Sequence, residues 1–385
     1  MDKEADTSRI TRVNIKAYGP FAFSHSYDDG AVSELLLEAV MANTMFATLP
    51  ILPEWSAQLN EDLIVRSIFG TAAIEGSPLS ETEVSGLLEA GRVIEPKAAR
   101  ERTITNLREA YRLAGVGGRS AYDPQYRLSE ERVCQLHAAI CNGLDDARYH
   151  PGHYRLKPVS VGDADHGGTY RPPKVPEDIS MLMARFVEWA NGQDVNVKGR
   201  GVVRAFLVHY HLSLIHPFAD GNGRVARVVE AEILEKAGFR FVPLMMSNYY
   251  YENIHDYYRA FTETEKNHFD MTPFLEFCLK GLVKCCGDIQ ERVTYYIRRL
   301  TLREYYSTLR KKRALTRRQH DFLLLLLDHG KPLTLASLTE EPKFRILYAA
   351  VSSQTARRDL RKLSELGLLS RASDNSYELN LKAIG

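Results

Sequence analysis

Cysteine is scarce in this chain of 385 residues: five are present, at Cys134, Cys141, Cys278, Cys285 and Cys286, an odd number with no metal-ligand spacing and one adjacent pair. That excludes a disulfide framework and fits a reducing cytoplasm, with the thiols as core residues. Net charge is nearly absent as well, since 50 Lys and Arg face 49 Asp and Glu. No global attraction to nucleic acid or membrane follows, so any such attraction must be local. No apolar run reaches transmembrane length, and Met1 to Asp6 are charged with no apolar stretch behind them. The expectation is a cytoplasmic chain that makes no membrane contact and is not exported. Internal repeats are lacking. The length allows two or three domains, and 44% hydrophobic residues support ordinary buried cores.

What is present concentrates in twelve residues, His216-Pro217-Phe218-Ala219-Asp220-Gly221-Asn222-Gly223-Arg224-Val225-Ala226-Arg227. The turn Gly221-Asn222-Gly223 can point successive backbone N–H groups at an anion, and a helix starting there adds its dipole. Arg224 and Arg227, three apart, share a face of that helix and can both reach phosphates. Asp220 offers a hard oxygen for Mg2+ beside those phosphates. His216 is a base whose ordinary pKa of about 6.5 suits taking a proton from a hydroxyl.

This run resembles the signature of the Fic family, His-x-Phe-x-(Asp/Glu)-Gly-Asn-Gly-Arg-x-x-Arg, with every fixed position filled. The resemblance implies a mainly α protein, a helical bundle with a β-hairpin flap, that transfers AMP from ATP to a Ser, Thr or Tyr hydroxyl of a protein, its own chain included. His216 would deprotonate the hydroxyl, which attacks the α-phosphate and expels pyrophosphate. Asp220 would hold Mg2+. Asn222 and the N–H groups of Gly221 and Gly223 would line an anion hole, with Arg224 on the β-phosphate and Arg227 on the γ-phosphate. Phe218 would anchor the loop.

A second run, Thr71-Ala72-Ala73-Ile74-Glu75-Gly76, resembles the family's inhibitory helix, (Ser/Thr)-x-x-x-Glu-(Gly/Asn). Thr71 and Glu75 lie on one face, and Gly76-Ser77-Pro78 ends the helix. By that resemblance Glu75 pairs with Arg227 and blocks the γ-phosphate. Further on, Tyr249, Tyr250, Tyr251, Tyr257, Tyr258 and Phe261 form an aromatic cluster. The resemblance makes Tyr257 and Tyr258 a wall of the adenine pocket, while the residues read equally as core packing.

Between these motifs the periodicity is helical: from Ala31, again from about Leu59, through Ile104, Leu107 and Tyr111, and after a Ser129 cap through Val133, Leu136, His137 and Ile140. His137 reads as a satisfied core histidine. Residues 151–176 are rich in Gly and Pro and read as a hairpin turning at Gly162 to Gly168, the place of the family's target-clamping flap. Helix then runs from Asp178 to Trp189 and from Val202 to Ile215. His209 and His211 point about 200° apart on that second helix and cannot share an ion.

Between Arg298 and Arg318 nine bases face one acid, Glu304, which reads as a charged helix and linker. Beyond it an apolar helix, a helix opening at Ser352 and two short strands around Asp374-Asn375 resemble a winged helix-turn-helix. Ser353, Gln354, Thr355 and Arg357 would start its recognition helix, with Arg358, Arg361 and Lys362 suited to phosphates. Such modules also dock proteins or join two copies of a chain, and both uses stay open. The expected organisation is an N-terminal helical region at 1–100 with the inhibitory helix around 62–76, a catalytic core at 101–290, a basic helix and linker at 291–315, and a winged helix at 316–385. An ATP-sensing DNA-binding regulator is the alternative to an adenylyltransferase using ATP and Mg2+, and removal of AMP from modified targets is a third reading. The intact base His216 favours the enzyme, since a sensor needs no base there.

Overall fold

The structure, a computed structural model, describes residues 9–16, 19–89, 99–117, 122–144, 150–162, 170–192, 201–372 and 376–383. The first described elements form a β-hairpin, within the region expected to be helical. Strands β1 (Ile10–Ile15) and β2 (Gly19–Ser24) pair antiparallel, from Ile10 opposite Ser24 to Ile15 opposite Gly19. Gly19-Pro20 interrupts any helix, because proline removes an N–H and fixes φ. Phe21 and Phe23, alternate on β2, are then free to find an apolar wall: Phe23 stacks on Trp189 with ring centroids 5.6 Å apart and meets the edge of His211.

Helices follow as α1 (Asp29–Ala47), α2 (Pro53–Ile74), α3 (Glu81–Glu89), α4 (Ala99–Leu113), α5 (Glu130–Ile140), α6 (Pro176–Ala190), α7 (Gly201–Ile215), α8 (Asn222–Lys236), α9 (Pro243–Glu252), α10 (Ile254–Lys266) and α11 (Thr272–Lys311). Helix α2 starts earlier than the periodicity suggests because Pro53 occupies its first turn, where the missing N–H costs nothing. It lies against α9 so closely that a Cβ on Gly70 would come within 2.7 Å of the Asn248 Cα. Only glycine allows that approach. Helix α5 is capped by Ser129, whose side chain accepts from the Arg132 N–H, with Val133, Leu136, His137 and Ile140 buried as their spacing predicts. Every residue of α7 from Val202 to Leu212 is buried, so α7 is central to the bundle and delivers residue 216 into its interior.

Residues 1–48 and 52–290 form one compact unit; residues 49–51 and 291–385 form the other. The segment expected as helix and linker at 291–315 is mostly the end of α11, which runs unbroken for 40 residues. No Gly or Pro stands between Gly287 and Lys311 to stop it. Helices α12 (Arg317–His329), α13 (Ser337–Glu340), α14 (Pro342–Tyr348) and α15 (Ser353–Glu365) precede strands β3 (Leu369–Arg371) and β4 (Tyr377–Leu379), which pair antiparallel as a wing. The turn expected at Asp374-Asn375 lies outside the described residues. Thr316 and Gln319 close a capping box on α12. The buried Asp359 of α15 accepts from Arg318 at 2.8 Å and from Gln319 at 2.9 Å, tying α15 to α12. Among the described residues no helix is long and apolar enough to cross a membrane.

Candidate active site

Helix α7 ends one residue before His216, which takes a left-handed backbone (φ 50°). A non-glycine residue rarely adopts that conformation, and here it turns the ring out of the helix toward a cavity of about 720 Å3 that His216 helps to line. Nδ1 lies 3.2 Å from the Ser213 carbonyl. Donation from Nδ1 to that carbonyl leaves the lone pair on Nε2. Burial pushes the His216 pKa down to about 4, so the ring is neutral and able to accept a proton at pH 7.

The loop after His216 is held from within. Phe218 is fully buried and stacks on His137 with centroids 3.7 Å apart and planes 6° from parallel. His137 is the satisfied core histidine its spacing suggests: Nδ1 accepts from the Gly152 N–H at 3.0 Å and Nε2 lies 3.0 Å from the Asp220 carbonyl. Asn222 clamps the loop that carries it. Its Oδ1 accepts from the Phe218 N–H at 2.8 Å and its Nδ2 donates to the Phe218 carbonyl at 2.9 Å, so the amide closes the loop as a clamp with one of its two N–H donors. Gly221 is the left-handed N-cap of α8, and its N–H donates to its neighbour Asp220 at 2.5 Å. Asp220 Oδ1 also accepts from Arg224 at 2.7 Å. Arg224 pairs with Asp220, while Arg227 pairs with Glu75 and borders the cavity. Asp220 keeps Oδ2 outside both bonds, and Mg2+ is commonly held by one or two carboxylates plus substrate phosphates, so this donor set fits the ion.

Glu75 caps α2, and its Oε1 accepts from Arg227 Nη2 at 2.6 Å. Arg227 Nη2 also lies 3.3 Å from the Thr71 carbonyl, so Thr71 and Glu75 of the upstream motif meet the same guanidinium. The Glu75 carboxylate sits over the start of α8, where a Cβ on Gly223 would come within 2.5 Å of Oε1. A carboxylate of the chain thus occupies a helix N-terminus suited to a phosphate.

Tyr257 and Tyr258 both border the cavity, with Phe261, Thr262, Glu265 and Lys266 beyond them on α10. Tyr257 is otherwise a core residue: it is buried, stacks on Tyr250 and lies 2.8 Å by its hydroxyl from His209 Nε2. Tyr257 is thus packed in the core and also borders the cavity. His209 is further engaged with the Glu230 carboxylate, and His211 with the backbone of Ser24, so the two histidines serve different contacts. Of the expected hairpin, Val161 and Tyr170 pair antiparallel and both line the cavity; the turn residues Asp163, Ala164, Asp165, His166, Gly167 and Gly168 lie outside the described residues. One functional candidate carries no signal in the sequence. Arg155 is 1% exposed and donates to the carbonyls of His216, Lys157 and Pro173 at 2.7, 3.1 and 2.6 Å. Its partners are backbone atoms, which leave no residue-type pattern to find.

In the C-terminal unit Ser353, Gln354, Arg357, Arg358 and Arg361 are exposed along α15. Several bases of the charged run are engaged within the unit: Arg299 and Arg303 both pair with Asp328, and Arg318 with Asp359.

Residues 127–234 match the family model of the Fic/DOC family, and residues 346–373 match that of the DeoR-like helix-turn-helix domain. The chain is 28% identical over 216 residues to protein adenylyltransferase fic-1 of Caenorhabditis briggsae, covering 55% of this chain and 38% of that protein. It is 28% identical over 214 residues to protein adenylyltransferase Fic of Nematostella vectensis, covering 54% and 45%. The chain thus spans less than half the length of these curated relatives. Among solved structures, a Fic family protein from Desulfovibrio desulfuricans G20 superposes with a TM-score of 0.56 at 20% identity, covering 91% of this chain and 96% of that one. Fic-1 from C. elegans superposes at 0.53 and 22% identity, covering 68% and 72%. At those identities the likeness is one of fold.

Proposed function

We propose, on the premise that this chain carries a Fic domain and a C-terminal DeoR-like helix-turn-helix, that it is a protein adenylyltransferase held in check by Glu75. The observation that carries the reading is the neutral base His216, aimed into the cavity that Gly223 and Arg227 also border. A protein hydroxyl gives its proton to His216 Nε2 and its oxygen attacks the α-phosphorus of ATP. The bond to the bridging oxygen breaks and pyrophosphate leaves. Arg227 offers the γ-phosphate a cation, and the N-terminus of α8 offers the phosphates a dipole and backbone N–H groups. Mg2+, held by Asp220 and the phosphates, would neutralise charge there. The other residues position and shield, which is most of what phosphoryl-type transfer requires. Tyr258 and the edge of Tyr257 would flank the base.

The reaction class is tested by the position of the label. With ATP labelled at the α-phosphate, the Glu75→Gly protein should incorporate radioactivity into itself and into proteins of a cell lysate. With γ-labelled ATP it should incorporate none. Incorporation of the γ label would make the protein a kinase and end the reading.

The C-terminal unit supports a second activity, binding of duplex DNA through the exposed polar and basic start of α15. Ser353, Gln354 and Arg357 would face base edges, and Arg358 and Arg361 phosphates. Binding should fall steeply between low and physiological salt. The pair of changes Arg357→Ala and Arg361→Ala should weaken it, by about 1–3 kcal/mol where the side chain reads a base edge and by less where it meets a phosphate. No binding to duplex DNA even at low salt would leave protein docking as the role of the unit.

A further inference from the structure

We infer that Arg155 is a positioning residue that locks the target-clamping hairpin to the catalytic loop, so that the hairpin and His216 are held as one body. The inference rests on the adenylyltransferase reading for its functional consequence and on the geometry alone for the lock. Arg155 precedes Val161 on the first limb, and Tyr170 and Pro173 lie on the second. Its guanidinium donates from Nη1 to the Lys157 carbonyl on the first limb and from Nη2 to the Pro173 carbonyl on the second. Nε donates to the carbonyl of His216 itself, and the backbone N–H of Arg155 donates to the carbonyl of Pro217 at 2.9 Å. Four bonds from one residue therefore join both limbs of the hairpin to the two residues that open the signature loop.

The chemistry of arginine explains the choice of residue. A planar guanidinium presents donors in a rigid fork and can hold three carbonyls in fixed relation, which a lysine ammonium on a flexible stem cannot. Among the described residues no carboxylate pairs with Arg155, and burial pulls its pKa down to about 10. Placing a cation there carries a desolvation cost that carbonyl bonds only partly offset, so fold stability alone is a poor account of it. What the bonds do hold is His216, whose left-handed backbone needs support from its surroundings.

The consequence concerns where a target hydroxyl arrives. Val161 and Tyr170 exchange both backbone bonds, at 2.9 and 2.7 Å, beside the cavity. A target segment adding to that hairpin by strand pairing is placed by the hairpin, not by its own sequence. Its hydroxyl meets Nε2 only if the distance from hairpin to His216 is fixed. A displacement of about 1 Å can cost on the order of 100-fold in rate.

The test uses the full chain in the Glu75→Gly background, with Arg155→Lys, which keeps the charge and loses the fork, and Arg155→Gln, which removes the buried charge. Self-labelling from α-labelled ATP should fall about tenfold in both, while Mg-ATP affinity by calorimetry changes less than about twofold. Hydrogen exchange supplies an arm independent of any activity. The Val161 and Tyr170 amides should exchange at least tenfold faster in both variants, with α7 amides unchanged. If Glu75→Gly with Arg155 intact transfers no AMP, the adenylyltransferase reading fails, and the exchange rates still decide the lock. Unchanged exchange at Val161 and Tyr170 would overturn it. So would loss of ATP affinity and of α7 protection together with transfer, since that pattern belongs to a brace of the whole fold.

Discussion

Replacing His216 by alanine or asparagine in the Glu75→Gly protein should cut AMP transfer by about 100-fold or more, with Mg-ATP binding retained. The two substitutions separate chemistry from backbone. Residue 216 sits at φ 50°, where asparagine is tolerated far better than alanine, so a loss shared by both variants is a loss of the base and not of the turn. The pH profile carries the same argument further. A general base works deprotonated, so its rate declines as pH falls through its pKa. Burial holds His216 near 4, which moves that decline well below the value of about 6.5 expected of a solvated histidine. Transfer should therefore be flat from pH 8 to about 6. A decline centred near 6.5 would contradict the buried placement of the ring, and an alanine variant as active as its parent would remove His216 from the mechanism.

The parts of this site that the sequence makes legible are those in which one residue type meets one kind of chemistry. Histidine, aspartate, glycine and arginine at signature spacing announce a phosphate site, and Thr71 with Glu75 at a helix end announces a carboxylate looking for a cation. The structure brings the second motif to the first at 2.6 Å. Illegible are the contacts whose partner is backbone. The Asn222 amide matches the N–H and carbonyl of Phe218, four residues before it, and closes the loop from within. Arg155 looks like any surface arginine in a proline-rich segment and is among the most buried side chains present. The hairpin at residues 10–24 is hidden for another reason: two six-residue strands carry little periodicity, and what decides them is the distant wall of Trp189 and His211 on which Phe23 packs. The long α11 is readable in principle, since the absence of glycine and proline after Gly287 says as much as the charges do.

Glu75→Gly should raise AMP transfer at least tenfold, about 1.4 kcal/mol of barrier, and should do so at some cost to the resting protein. The Glu75 carboxylate does two things at once: it pairs with Arg227, and it fills the space over Gly223 at the start of α8. Removing it opens an anion site and leaves a guanidinium that is 2% exposed without its carboxylate. An unpaired buried cation is destabilising, so the variant should melt lower than the parent in the absence of nucleotide. Phosphate oxygens can replace the missing carboxylate. Mg-ATP should consequently stabilise Glu75→Gly more than it stabilises the parent, because ligand stabilisation grows with affinity for the folded state. The double variant Glu75→Gly with Arg227→Ala separates the two effects. It lacks the stranded cation, so its melting temperature should recover, and it lacks the γ-phosphate contact, so transfer should return to the resting level. Transfer in Glu75→Gly no faster than in the parent would remove the inhibitory role and leave His216 untouched. Full activity in the double variant would instead detach Arg227 from the nucleotide, and with it the reason for a carboxylate to sit there.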